Sequence, residues 1–237
     1  MGLRTLIVNG IPCTLPISRK MIQWSYSSLK EFVNCPRQYY EIKVAKSVVK
    51  KVTEQMLYGT EVHKAVEDYV REGKPLAKNY MVFKPVLDEL LQIPGKRYPE
   101  YQMALKPDKT VCEFGDDNRW VRGIVDLLIV DGEDAYIVDY KTGSNKYPDP
   151  KQLKLMALMT YAHFPEVQNI KAGLLFITRN SFVTEEYKRG ESDKLWDEFS
   201  GDLKRLDISY ETSYWPEKPS GLCGWCPVSN CKFHKVR

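Results

Sequence analysis

The sequence predicts an α/β fold in which a mixed central sheet is flanked by helices and followed by a cysteine-rich C-terminal tail. Three observations point there. Helical periodicity in the first third gives way near residue 98 to runs rich in β-branched and aromatic residues, after which helix and strand patterns alternate. Two apolar runs, 120–130 and 135–143, are joined by the turn signal "DGED", as in a hairpin. A composition of 43% hydrophobic and 28% charged residues supports a substantial core.

Taken in order, residues 25–44 ("SYSSLKEFVNCPRQYYEIKV") open with serines. Ser28 followed by Glu31 fits a capping box, and Leu29, Phe32 and Val33 give a helical apolar face. Residues 59–73 form a second helix, capped by Thr60 and ended by Gly73. Residues 80–95 read as a third, broken near Pro85. Residues 98–106 alternate as a strand, and the hairpin follows. Residues 149–164 form a helix with Asp149 as N-cap, Pro150 in its first position and Gln152 in its third. A strand over 170–179, a second beside it over 181–190 and a polar helix around 191–206 complete the core. The tail from 215 is too rich in Pro, Gly and Cys for a long helix. With no repeat and no long linker, one domain over 1–237 is expected. It divides into a helical part (25–73), a core carrying the chemistry (98–180) and the tail (215–237).

A net charge of +4 permits a nucleic-acid partner without demanding one. No apolar run approaches the ~18 residues of a membrane span, and the N-terminal apolar stretch is too short and interrupted for a signal peptide. A cytoplasmic protein is expected. In a reducing compartment, three cysteines clustered at the C-terminus point to metal rather than to disulfides.

The hairpin carries the chemistry. Asp139 and Lys141 are two apart on a strand and share a face, and Asp126 on the neighbouring strand can approach them. Buried unpaired carboxylates are costly. A divalent cation resolves that cost, and hard oxygen ligands suit Mg²⁺ or Mn²⁺. A lysine beside such an ion can orient water or stabilise developing charge, so the set suits phosphodiester hydrolysis. A plain cross-strand Asp–Lys salt bridge is the bland alternative. By contrast, the acids of the turn, Asp131 to Asp134, read as solvated.

The stretch "RGIVDLLIV…AYIVDYKTG…QL" resembles the PD-(D/E)XK nuclease superfamily, with its restriction-endonuclease-like core. The nearest pattern is that of the RecB-like branch, which includes CRISPR-associated exonucleases and bacteriophage proteins. The residues that match are Gly123, Asp126, Asp139, Lys141, Thr142, Gly143, Gln152 and Leu153, and the resemblance spans about residues 25–231. It implies a Mg²⁺- or Mn²⁺-dependent exonuclease of 5′ to 3′ polarity acting on DNA, single-stranded or with free ends, in recombination, repair or phage DNA metabolism. Asp126, Asp139 and Lys141 would be catalytic. His63, from "GTEVHKAVEDY", would join Asp126, Asp139 and the carbonyl of Tyr140 as metal ligands, although a lone histidine on a helical face is often a core residue. Glu67 could orient His63 or pair with a lysine. Glu100 could join the metal site, contact substrate or be a solvated strand-face acid; Gln152 could contact substrate or Lys141. The family often has a tyrosine four residues after that glutamine; here it is Met156.

Cys223, Cys226 and Cys231 have metal-ligand spacing. The resemblance supplies Cys35, in "NCPRQYY", as the fourth ligand of a [4Fe–4S] cluster. Zn²⁺ held with His234 is the alternative, and buried free thiols are a third; Cys13 and Cys112 fit neither site. Arg37, Lys43, Lys46, Lys50 and Lys51, interleaved with Tyr39 and Tyr40, could meet phosphates and stack on bases or cover a core edge. Trp225 could stack or pack. A homo-oligomer would suit a processive exonuclease enclosing its substrate. The competing function is a DNA-binding accessory protein that keeps the fold without cutting.

Overall fold

The computed structural model describes residues 21–234, together with the backbone of two N-terminal strands, β1 (Leu3–Val8) and β2 (Ile11–Pro16). These pair antiparallel as a separate two-stranded sheet, which the sequence reading did not foresee. Cys13 lies in β2, and its side chain falls outside the described residues.

The main sheet has five strands in the order β3 (Lys96–Leu105), β4 (Val121–Asp131), β5 (Asp134–Lys141), β6 (Asn169–Phe176) and β7 (Ser181–Lys188). Only β5 and β6 pair in parallel, so the sheet is mixed as expected. Their crossover is α5 (Lys151–His163). The β4–β5 turn closes on Asp131 and Asp134, with Gly132 at φ 59° in the first central position, where a type II′ turn places glycine.

One sheet face packs against α1 (Tyr26–Asn34), α5 and α6 (Ser192–Thr212) around Phe32, Met103, Val125, Leu153, Met159 and Phe199. The other packs against α3 (Glu54–Glu72) and α4 (Lys84–Leu90) around Val62, Val66, Leu87, Leu127 and Ile129. α5 lies between the sheet and α6 and is buried on nearly every side. Lys151–Asp202 at 2.9 Å and Lys154–Glu198 at 2.8 Å pin it to α6. Each fully buried aliphatic side chain here contributes about 1.5–3 kcal/mol of transfer free energy.

Several expected boundaries move. The helix over 25–44 breaks at Cys35, whose backbone is extended, because Pro36 starts a new turn, α2 (Pro36–Tyr39), that runs into a π turn at Tyr40–Val44. The capping box belongs to Ser25 and Ser28, not to Ser28 and Glu31. α3 starts six residues before Thr60, because Thr53 caps it; Thr60 is interior and donates to the Met56 carbonyl at 3.0 Å. Gly73 ends it at φ 67°. Pro85 stands in the first turn of α4 and initiates rather than breaks it. Pro150 is the N-cap residue of α5, while Asp149 accepts from Tyr26 Oη and pairs with Lys30, fastening α1 to the start of α5.

Two irregularities in the sheet create the site. Along β4, Val121 and Val125 face α5, yet Leu127 and Ile129 face α3, so the side-chain alternation slips by one at Asp126. β3 slips at the facing position: Met103 and Tyr101 pack on the α5 side, and so does Tyr98. Between Tyr98 and Tyr101, Glu100 has φ 51°. That left-handed conformation costs a non-glycine residue about 1–2 kcal/mol. Register is the same on both sides of the slip, Pro99 opposite Leu127 and Tyr101 opposite Val125. Glu100 and Asp126 therefore sit side by side. On the other flank, β4–β5 pairing stops at Leu127 and Val138. Beyond it the Tyr140 N–H donates to Asp126 Oδ2 at 2.6 Å instead of to a strand carbonyl. The two strands fork at Asp126 and Asp139.

Candidate active site

α3 brings His63 to the fork. Gly59, one turn earlier, lets the helix approach the end of β5: a Cβ there would lie 3.3 Å from Thr142 Oγ1. His63 Nδ1 is 3.5 Å from Asp126 Oδ1. His63, Glu100 and Asp126 each offer a ligand atom, and these three atoms lie within 4.8 Å of one another. Among the described residues they are the one such group. A histidine nitrogen and two carboxylate oxygens fit a small divalent cation.

Asp139 sits beside this group, close enough to feel the charges of Asp126 and His63. Its Oδ1 accepts from Gln152 Nε2 at 2.6 Å, and its Oδ2 pairs with Lys141 Nζ at 2.5 Å. Lys141 Nζ also donates to Gln152 Oε1 at 3.1 Å. Asp139, Lys141 and Gln152 thus form a closed triangle on the α5 side. The sequence expectation grouped Asp139 with the metal ligands and treated Glu100 as secondary. The strand slip aims Glu100 at Asp126 and so brings Glu100 into the group, while Asp139 Oδ2 is buried with the Lys141 ammonium beside it and no hydrogen-bond partner. The side chain of Tyr140 is buried against the α3 face, its ring edge-on to His63 with centroids 6.0 Å apart.

The electrostatics reflect three acids crowded together. Burial, with Asp126 close by, pushes Glu100 from its ordinary 4.5 up to about 7. Burial and the Asp126 charge push Asp139 up to about 6, while Lys141 pulls it back. A hydrogen bond to Asp126 raises His63, against the lowering effect of its burial. A bound cation would reverse all of these pressures at once.

A sequence model of the PD-(D/E)XK nuclease superfamily matches residues 23–231. The chain belongs to that superfamily. No curated protein matches it. Among solved structures, a proposed exonuclease from Eubacterium rectale is similar with a TM-score of 0.50 and 12% identity, over 89% of this chain and 86% of that one. The crystal structure of SSO0001 gives a TM-score of 0.47 and 12% identity, over 90% and 87%. At such identity the likeness to the E. rectale protein speaks for the fold. A Cβ on Gly123 would stand 3.0 Å from Met156 Cε, so in this chain the glycine makes room for that methionine.

In this nuclease-superfamily chain the tail folds back on α1 and α2. The Arg37 N–H donates to the Pro216 carbonyl at 3.2 Å, and Lys218 Nζ donates to the Val33 carbonyl at 2.7 Å. Cys35, Cys223, Cys226 and Cys231 then line one small cavity, with His234 also on its wall. Burial pushes the Cys226 thiol up, and Cys35, Cys231 and Cys223 are near enough to add to the shift. Their sulfurs are not gathered within the 4.8 Å spacing of the carboxylate–histidine group. Cys112 stands apart from this cavity, half-buried and free.

Of the DNA contacts expected for the N-terminal helices, base stacking by Tyr39 is contradicted. Tyr39 is buried, stacked on Trp215 and edge-on to Phe32, and its hydroxyl meets that of Tyr210 at 3.3 Å. It is a core residue and has no free face for a base. Tyr40 packs on Trp215 too. Arg37 pairs with the buried Glu41 at 2.7 Å, and Lys43 and Lys50 both pair with Glu31. Glu67 pairs with Lys64 and Arg71 rather than with His63. Among the described residues, no helix is long and apolar enough to cross a membrane.

Proposed function

We propose that the protein is a divalent-metal-dependent DNA exonuclease of the RecB-like, bacteriophage type, hydrolysing phosphodiester bonds with 5′ to 3′ polarity. The observation that carries this reading is the convergence of His63, Glu100 and Asp126 beside the Asp139–Lys141–Gln152 triangle. His63, Glu100 and Asp126 would hold Mg²⁺ or Mn²⁺, with Asp139 and the Tyr140 carbonyl completing the set. When bound, the ion supplies Lewis-acid polarisation of the phosphoryl group and lowers the pKa of a water. The chain's own residues do the rest. The Lys141 ammonium, held by Asp139 and Gln152, hydrogen-bonds the attacking water and stabilises charge growing on the phosphoryl oxygen. Gln152 restrains both Asp139 and Lys141, so the ammonium is aimed before substrate arrives.

Cys35, Cys223, Cys226 and Cys231 would hold a [4Fe–4S] cluster that ties the N-terminal helices to the tail. Zn²⁺ held by the three tail cysteines with His234, which lines the same cavity, is the alternative. Resemblance alone supports the polarity and the branch.

The test is digestion of end-labelled single- and double-stranded DNA with Mn²⁺, beside a Lys141→Ala control. Wild type should shorten the label from the 5′ end and the control should not. Equal inertness of the two, with metal and cluster loaded, would overturn the enzyme reading. A colourless, zinc-loaded protein after anaerobic purification would overturn the cluster.

A further inference from the structure

We propose that the cleft beside Gln152, bounded by Arg122 and Phe114, binds the nucleotide flanking the scissile phosphate on a single-stranded nucleic acid. This rests on the nuclease reading of the adjoining site. The cleft has a volume of about 450 Å³ and lies between the start of α1, the start of β4 and the first turn of α5. That is the size of a small-ligand site and too small for a duplex. Gln152 is part of its wall, and the same side chain bonds Asp139 and Lys141, so the cleft opens directly onto the reacting groups.

Its chemistry is that of a nucleotide site. The Arg122 guanidinium lies 5.1 Å from the centroid of the Phe114 ring, which orients it. Among the described residues, no carboxylate pairs with it. Other cations near the site are committed: Lys141 to Asp139, Lys151 to Asp202, Lys30 to Asp149. Arg122 alone of these offers an uncompensated charge to an outside anion. Ile124 is 38% exposed and, with Met156, gives the cleft an apolar side on which a base can lie. The backbone is fixed: Trp24 N–H donates to the Trp120 carbonyl at 2.9 Å, and the Arg122 N–H donates to the Trp24 carbonyl at 3.1 Å. Arg122 is four positions before Asp126 along β4, about 13 Å at ~3.3 Å per residue, which places it beyond the scissile phosphate.

The experiment measures binding, not cleavage. Fluorescence anisotropy of a fluorescein-labelled oligothymidylate is followed in EDTA for wild type, Arg122→Ala, Arg122→Lys and Phe114→Ala, with circular dichroism as the folding control. Arg122→Ala should weaken binding about tenfold at low salt. It should also reduce the steepness of log K against log[salt] by about 0.7, the contribution of one single-strand phosphate. Arg122→Lys should keep the slope and lose part of the affinity. Phe114→Ala should weaken binding severalfold. Equal affinity and slope in wild type and Arg122→Ala, or no binding by wild type, overturns the proposal. Binding that depends on Arg122 in a protein that never cleaves would retain the subsite and overturn the nuclease reading instead.

Discussion

Glu100→Gln should stabilise the metal-free protein at pH 8 and impair its response to Mn²⁺. Glu100 is held at about 7 in the folded chain, against an ordinary 4.5. An acid raised on folding contributes stability that is present below 4.5 and lost as pH climbs through 7. The full displacement corresponds to about 3.4 kcal/mol. Glu100 is only half-buried, so solvent screening reduces this to about 1–2 kcal/mol. The glutamine keeps the shape and the φ of 51° but never ionises. In EDTA at pH 8 the variant should therefore melt about 2–8 °C above wild type, at 2–4 °C per kcal/mol for a chain of this size. At about pH 4, below both values, the two should melt together. Mn²⁺ at a hundred times its dissociation constant should stabilise wild type by about 2.7 kcal/mol and the variant by much less. Thermal melts followed by circular dichroism give all of these values. A variant less stable than wild type at both pH values, or one that gains as much from Mn²⁺, would refute the placement of Glu100 among the ligands.

Gln152→Ala should lower kcat by about 10- to 100-fold, as loss of a group orienting its neighbours does. Because it removes a donor to Asp139, it should also move the acidic limb of the pH–rate profile upward. Cys226→Ser should abolish the visible absorbance of anaerobically prepared protein and lower its melting temperature, since the cavity joins both ends of the chain. Tyr39→Ala should destabilise by about 3–5 kcal/mol through the cavity left between Phe32 and Trp215. Tyr39→Phe, which loses only the long hydroxyl contact to Tyr210, should cost about 1 kcal/mol or less. A Tyr39→Phe variant that folds normally but loses DNA binding would contradict its assignment to the core.

The hairpin was legible because its signals are local. A glycine-bearing turn of two residues and two β-branched runs fix register, and register brings Asp126 near Asp139. Helix α5 and strands β6 and β7 followed from length and pattern in the same way. Glu100 was seen only as one possible ligand among strand-face acids. Nothing in "YPEYQMALK" announces a left-handed residue in mid-strand, and the paired slip of β3 and β4 is a property of two strands together. Tyr39 misled for the opposite reason. Spacing among lysines suggested a DNA face, but Trp215, far along the chain, covers the ring. Thr60 lost to Thr53 as a cap because Thr53 accepts from the Met56 N–H and the helix runs on through Gly59. The Arg122 cleft carried no sequence signal, since its walls come from α1, β4 and α5.

The most direct measurement is the single-turnover cleavage rate of a 5′-labelled single strand with saturating Mn²⁺, in wild type and in Asp126→Asn. Asp126 touches His63, accepts the Tyr140 N–H and stands beside Glu100, so removing its charge dismantles the ion site while sparing the core. The account predicts cleavage that EDTA abolishes in wild type, and a fall of about 10³-fold or more in the variant, an effect of the size seen when a preorganised electrostatic group is lost. Comparable rates in the two proteins, or cleavage by wild type that persists in EDTA, would contradict it.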